Sequence, residues 1–596
     1  MKLSTWRNTY WVRGAVVDKT SGQGIEGLTI EAWDKDVTSA DDRLGSAVTL
    51  QQGRFSIHFD SLQFSEPGDR RPDVYFKVFS GSTLLLSTEG DVKWNVGRRF
   101  ERVRLEVDNA PPERRSYRVH PAIGIARIGD SETGSYLGQE VPKLEFEPPE
   151  SEYRDNAGAI KRMGCRFRVY EYDGDVPLRE LTASEASIRW TVDLVNSKPS
   201  AIENQDSAEF VIDPGPQSVE GTNQRIAVAG PIQGQQVKLG DLETDDRGRL
   251  IVYGGHGRSA SWNGSPLAGL FNAGWYDDVA DGSVRATITL SGGAQVEAEP
   301  AWVITSVPDY AHSIQSIVSL YDLAEDRSVP GAREAEVSFV SHIYPVLQRT
   351  VYMRFASRGA NRGHRAGSLG DFLAPQLFTR LHDKSVEGAA QARADVFTRV
   401  RNPETGGSNA DGENMPDLIA LAVTPTQYER LRRWSEGDYV DDWPAGANPL
   451  SPPGAARSLE SLPIAQQPAA LDRASLDFCV GGSFHPGIEA GEIMGHASTY
   501  AAPNRIDVLT VEPGELTKSL SVPWQADFLA CGDGWWPGGR PSRVASLARP
   551  AGYSWAEGIS SPAEMVTAWA KLGFLVRDRA SEFNVVENER LLPPQV

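Results

Sequence analysis

Cysteine is nearly absent from this 596-residue chain, which carries three, Cys165, Cys479 and Cys531. So sparse and odd a set excludes a disulfide framework and suits a reducing compartment. With no CxxC pair, a thiolate zinc site is excluded as well. Also missing are a GxGxxG after a strand, a Walker A lysine loop, a GxSxG elbow and an HExxH helix, so dinucleotide, phosphoryl-transfer, serine-hydrolase and zincin schemes lack their residues. Positive charge is in short supply: Lys+Arg 60 stand against Asp+Glu 80, a net charge of -20, which disfavours nucleic acid and anionic membranes. No apolar run reaches membrane-spanning length, and "MKLSTWRNTYWVRGAVV" has no stretch of signal-peptide length. The expectation is a cytoplasmic protein, with signal-independent export compatible with the same sequence.

The rest of the composition is that of a globular protein, 40% hydrophobic and 23% charged, long enough for several domains or one large catalytic body. An α+β fold is expected: an N-terminal β-sandwich, then a large β-rich catalytic body with a more helical C-terminal half. The first hundred residues alternate in short β-branched and aromatic runs such as "WVRGAVVDKT", "LTIEAWDKD" and "DVYFKVFSG", separated by Gly, Asp and Ser turns. This places an accessory domain over 1–107, resembling transthyretin-like or carboxypeptidase-regulatory-like modules. A linker follows over 108–115 and a catalytic domain over 116–596. Strands dominate up to about residue 350. Helical spacing follows in "LGDFLAPQLFTRLHDK" and "TPTQYERLRRWSEGDYV", where Thr424 or Thr426 caps the start, and "SPAEMVTAWAKLGFLV" reads as a capped helix entering a strand.

Two stretches carry candidate chemistry. "EAWDKDVTSADDRLGSA" sets Asp34, Asp36, Asp41 and Asp42 on an expected inter-strand loop, either a calcium site of hard oxygen ligands or a solvated acidic turn. "PWQADFLACGDGWWPGGRP", from Pro523, sets Asp527 four residues before Cys531, which precedes Trp535 and Trp536. Cysteine joined to an oxidised tryptophan ring gives a protein-derived ortho-quinone, an electrophile for amines. A carboxylate whose pKa burial has raised then serves to take the α-proton. Without that chemistry, Cys531 is a small buried hydrophobe beside core aromatics. His342, His485 and His496 are further candidates, each also readable as a structural hydrogen-bonding histidine.

Four ordered motifs, "HPAIGIARIGDS" at His120, "SHIYPVLQR" at Ser341, "FCVGGSFHPGIE" at Phe478 and the Pro523 stretch, together resemble the LodA-like quinoproteins over roughly residues 116–577. That family includes lysine ε-oxidases and glycine oxidases. The resemblance implies oxidative deamination of a primary amine or amino acid by cysteine tryptophylquinone, using O2 and releasing ammonia and H2O2. It implies Cys531 as the thioether cysteine and Asp527 as the acid of maturation and proton abstraction. Trp536 is the implied quinone tryptophan, Trp535 the second choice, with Trp555 and Trp569 outside possibilities. Cys479, His485, Glu489 and His342 would line the site. A LodB-like flavoprotein would mature the cofactor, and a homo-oligomer is compatible. Two other readings stand beside this one: an inactive relative acting as a binding or effector module, and a calcium-dependent surface binder resting on Asp34, Asp36 and Asp42.

Overall fold

The computed structural model describes residues 9–592 apart from 20–21, 23, 37–40, 51–52, 61–62, 65–70, 82, 109–114, 143–152, 206, 313, 356–357, 406–414, 416–421, 451–457, 482–488, 531–539, 542, 545–548, 550–551 and 579–583. Near the N-terminus two sheets face each other. One has the strand order Arg54–Asp60, Thr9–Asp18, Arg99–Val107; the other runs Asp42–Val48, Thr29–Asp34, Val74–Ser80, Thr83–Ser87. Alternation builds this core: in Thr29–Asp34 every second residue, Ile30, Ala32 and Asp34, is buried, as the two-residue period of a strand requires. Val12, Phe55, Ile57 and Phe76 fill the space between the sheets.

A thirteen-stranded sheet forms the body. Its main path runs Gln217–Glu220, Ala186–Val195, Ala280–Leu290, Ala301–Ser306, Ile123–Arg127, Arg162–Asp173, Leu250–Gly254, Gln235–Thr244, Arg225–Ile232. Both faces are covered, which explains why central strands such as "AWVITS" are buried at every position. Alternate residues serve different cores: Ile123, Ile125, Trp302 and Ile304 pack with Leu476 and Met494, whereas Ala126, Ala301 and Val303 pack with Trp190 and Val252. The helix Gln467–Asp477 closes the first face, and its Asp472 accepts hydrogen bonds from Ala122 N (2.6 Å) and pairs with His120 (2.9 Å).

The helical half begins earlier than the expected residue 350. The last strand of the large sheet ends at Ser306, and helices Leu320–Ser328 and Tyr344–Tyr352 follow. The latter continues a π-helical turn, Phe339–Ile343. Thr424 caps Pro425–Glu436 with Gln427 reciprocating, and Gly437 ends that helix in the left-handed region. Ser561 accepts from Glu564 N, but the Glu564 carboxylate turns to Ser560, so only half of the box forms. No helix among the described residues is long and apolar enough to cross a membrane.

Candidate functional site

Strand register gathers polar residues at one end of the large sheet. Val195 pairs with Asp281, Ala280 with Thr305, Ser306 with Arg127 and Arg127 with Met163. Lys198 beyond the first strand, Asp277 and Asp278 before the second, Asp309 beyond the third and Arg127 at the tip of the fourth therefore share an edge. Gly255 and Gly257, beyond Leu250–Gly254, lie at the same end.

The helix Trp524–Ala530 is anchored to that end. Trp524 and Phe528, one turn apart, turn their rings into the aromatic core: Trp524 meets Trp569 at 5.1 Å, and Phe528 meets Trp555 at 5.5 Å and Tyr310 at 5.9 Å between centroids. Gln525, fully buried, donates to Gly257 O (2.9 Å) and accepts from Ser259 Oγ (2.7 Å). Gly257 has φ +72°, and a Cβ there would lie 2.1 Å from Trp569 Cζ2, so only glycine fits. Asp527 is 2% exposed and lies 4.0 Å from Arg540 Nε. Cys531, Trp535, Trp536 and His485 lie outside the described residues. The indole N–H of Trp524 is buried and meets no acceptor among the described residues.

Behind the helix stands a group of charges that sequence reading missed. Lys198 is wholly buried, with Nζ 2.5 Å from Asp277 Oδ2. The same oxygen accepts Trp524 N at 2.9 Å, capping the helix from another part of the chain. Asp277 Oδ1 accepts from Asn196 Nδ2 (3.1 Å) and Val279 N (3.2 Å). Burial lowers the Lys198 pKa, opposed by the carboxylates of Asp277, Asp278 and Asp527 around it. Asp278 is pushed up to about 7, first by burial and further by Asp277, against backbone donors from Arg258 and His256. The available signal was the pair of aspartates in "GWYDDVADG"; the lysine stands 79 positions away.

A second cluster unites two expected lining residues. Cys479 and Glu489, each 1% exposed, lie beside Arg127. Arg127 pairs with Glu489 and donates to Phe478 O (2.7 Å) and Val307 O (3.1 Å), while Glu489 also accepts from Val480 N. Burial, then Glu489, holds the Cys479 thiol well above its ordinary pKa, so it stays protonated. Burial raises Asp309 to about 7, with Arg127 opposing. Tyr310, next in sequence, packs on Phe528, so both clusters border one aromatic core. His342 stands apart from them. Its Nδ1 accepts from Ser338 N (3.0 Å), and burial followed by Arg430 and Arg473 pushes its pKa down to about 4, leaving a neutral structural acceptor.

In the acidic stretch, readable as a solvated turn or a calcium loop, residues 37–40 lie outside the described residues. Asp34 ends a strand, is 1% exposed and accepts from Asp73 N; it pairs in register with Asp42, which opens the next strand. Asp41 accepts from Lys35 Nζ (3.0 Å), Tyr75 OH (2.9 Å) and the backbone N of Asp36 (3.2 Å). A lysine thus stands where a cation would, and no group of three or more metal-ligating side chains occurs among the described residues.

Trp555 is fully buried and donates to Gly573 O at 2.8 Å. Trp569 is held between Trp524 and Gly257.

Comparison with known proteins matches residues 120–210 and 199–305 to the family described as L-Lysine epsilon oxidase N-terminal, and residues 405–548 to the L-lysine epsilon oxidase C-terminal domain. L-lysine 6-oxidase of Marinomonas mediterranea is 27% identical over 549 residues, covering 69% of this chain and 70% of that protein. Among solved structures, the L-Lys epsilon-oxidase of the same organism, as its Schiff base intermediate with L-Lys, superposes with TM-score 0.64 at 22% identity, covering 80% of this chain and 95% of that one. A second structure of that enzyme gives a TM-score of 0.63 over the same shares. These matches span the sheet, its polar end and the helix bearing Asp527, and the chain belongs to the LodA-like family.

Proposed function

We propose that this protein oxidises a primary amine or amino acid to the corresponding carbonyl compound, consuming O2 and water and releasing ammonia and H2O2. The observation that carries the reading is Asp527: a carboxylate on a short helix, buried at the polar end of the sheet, four residues before Cys531 and inside the matched C-terminal domain. The cysteine tryptophylquinone that Cys531 and Trp536 would form supplies an electrophilic carbonyl and a sink for two electrons that O2 refills. The neighbourhood suits such a group: rings of Trp524, Phe528 and Trp569 offer an apolar wall, and the buried Trp524 N–H meets no acceptor among the described residues.

Asp527 holds the role of base, taking the α-proton of the bound amine on its carboxylate. Arg540, 4.0 Å away and 3% exposed, balances the negative charge of that carboxylate so that it persists in a dry site. Gln525 fixes the Gly257–Ser259 loop against the helix and so holds Asp527 in place. The aromatic wall excludes water from the reacting face, which strengthens every charge interaction inside it. Cys479, Glu489 and Arg127 form the flank of the site in this reading; an arginine is the group that would receive a substrate carboxylate.

Maturation needs oxygen inserted into a tryptophan ring, and a LodB-like flavoprotein is the partner this reading requires. The test is peptide mass of protein produced with that flavoprotein. Two oxygens gained and four hydrogens lost on the peptide holding Cys531 and Trp536 support the proposal, as does amine-dependent peroxide release. Unmodified mass despite a competent partner refutes it and favours a binding role.

A further inference from the structure

The buried cation behind the Asp527 helix has no part in the scheme above. Lys198 costs the fold the desolvation of an ammonium, and such a group is retained only where its partners are well placed. Its Nζ bonds Asp277, and the carboxylates of Asp278 and Asp527 lie within its electrostatic reach at the same end of the sheet. The bond to Asp277 is short, at 2.5 Å, and both side chains are wholly buried. Asp277 in turn receives Trp524 N, the first backbone donor of the helix that bears Asp527 three residues on. Asp278 Oδ1 is buried and meets no donor among the described residues, so the cluster is not saturated.

We infer that Lys198 is a positioning residue for the proposed oxidation: through Asp277 it fixes the register of the Trp524–Ala530 helix, and its ammonium supplies fixed positive charge to the Asp527 carboxylate. The inference rests on the reading of Asp527 as the base. Asp527 then feels two cations, Arg540 at 4.0 Å and, through the field at the sheet end, Lys198 beside Asp277 and Asp278. Asp278 carries a proton below neutrality, and in that state it leaves the lysine's charge to the other two carboxylates.

The test uses full-length protein produced with the maturing flavoprotein, as wild type, Lys198→Met and Lys198→Arg. Wild-type peptide mass is read first; lack of the quinone there refutes the oxidase reading, and the present inference falls with it. With the quinone present, the acid limb of the kcat/KM profile for a primary amine is compared among variants. Removing a cation within reach of a carboxylate raises that carboxylate's pKa by about one unit or more. Lys198→Met is expected to move the acid limb up by that amount, and Lys198→Arg to return it towards wild type. The substrate amine titrates identically in all three, so it cancels from the comparison. A Lys198→Met protein with normal quinone and an unmoved acid limb overturns the inference while leaving the oxidase reading intact. Should Lys198→Met fail to fold, Lys198→Gln takes its place, keeping an amide donor for Asp277 while removing the charge. The same upward shift is expected of it, and an unmoved limb is again fatal.

Discussion

Asp278→Asn isolates the electrostatics of the sheet end from catalysis. In the native protein Asp278 has no exposed surface, and its Oδ2 accepts Arg258 N at 3.0 Å. Burial, with Asp277 adding to it, raises its pKa from 3.8 to about 7. Between those two values the native state holds a proton that the unfolded chain has already released. Stability therefore falls as pH rises through the window and levels off above it. A raise of this size is worth about 4 kcal/mol at ~1.4 kcal/mol per pKa unit, an upper figure for a group with polar neighbours. Asparagine keeps the acceptor for Arg258 N and cannot ionise, so it mimics the protonated acid. For a chain of this length such a gain is about 3 °C in Tm. Melting of both proteins by calorimetry from pH 5.0 to 8.5 should show the variant's advantage growing with pH and saturating above about 7.5. A difference flat across that range, or one that turns against Asn as pH rises, would mean that Asp278 is ionised and stabilising in the native protein.

Asp527→Ala should abolish quinone formation while the fold persists; a normal cofactor mass in that variant would end the role assigned to the acid. Gly257→Ala forces a Cβ into the Trp569 ring at positive φ and should cost about 2 kcal/mol or more, read as a lowered Tm. Glu489→Gln leaves Arg127 buried without its anion and should cost about 3 kcal/mol, with a matching Tm loss; an unchanged Tm would show that Asp309 suffices as its partner. Millimolar calcium should leave Tm unaltered, because Lys35 already neutralises Asp41, and a calcium-dependent rise would restore the loop reading.

What the sequence made legible was local. Alternation in "LTIEAWDKD" predicts its strand, Thr424 and Ser561 mark the starts of their helices, and the four-residue interval from Asp527 to Cys531 is visible in one line of text. Pairings across long loops left no local trace. Lys198 looks like a surface lysine beside a proline, Asp277 like a turn residue, and only strand register brings them together. The acidic stretch stayed open between turn and calcium loop for the same reason: Asp34 belongs to a strand whose inward period carries it under the sheet, while Lys35 turns to Asp41. The early onset of helix after Ser306 was masked by apolar runs such as "SIVSL", in which short strands and buried helix starts look alike.

The sandwich near the N-terminus is fastened to the body by more than chain connectivity. Leu50 joins the core of Ile123, Trp302 and Leu509, Arg54 pairs with Asp507 at 2.8 Å, and Arg285 reaches His58 at 3.3 Å. A protease cut anywhere in residues 109–114 would consequently leave two fragments that migrate as one particle on a sizing column and separate only in denaturant. The module and the polar end of the large sheet therefore hold one constant bearing to each other.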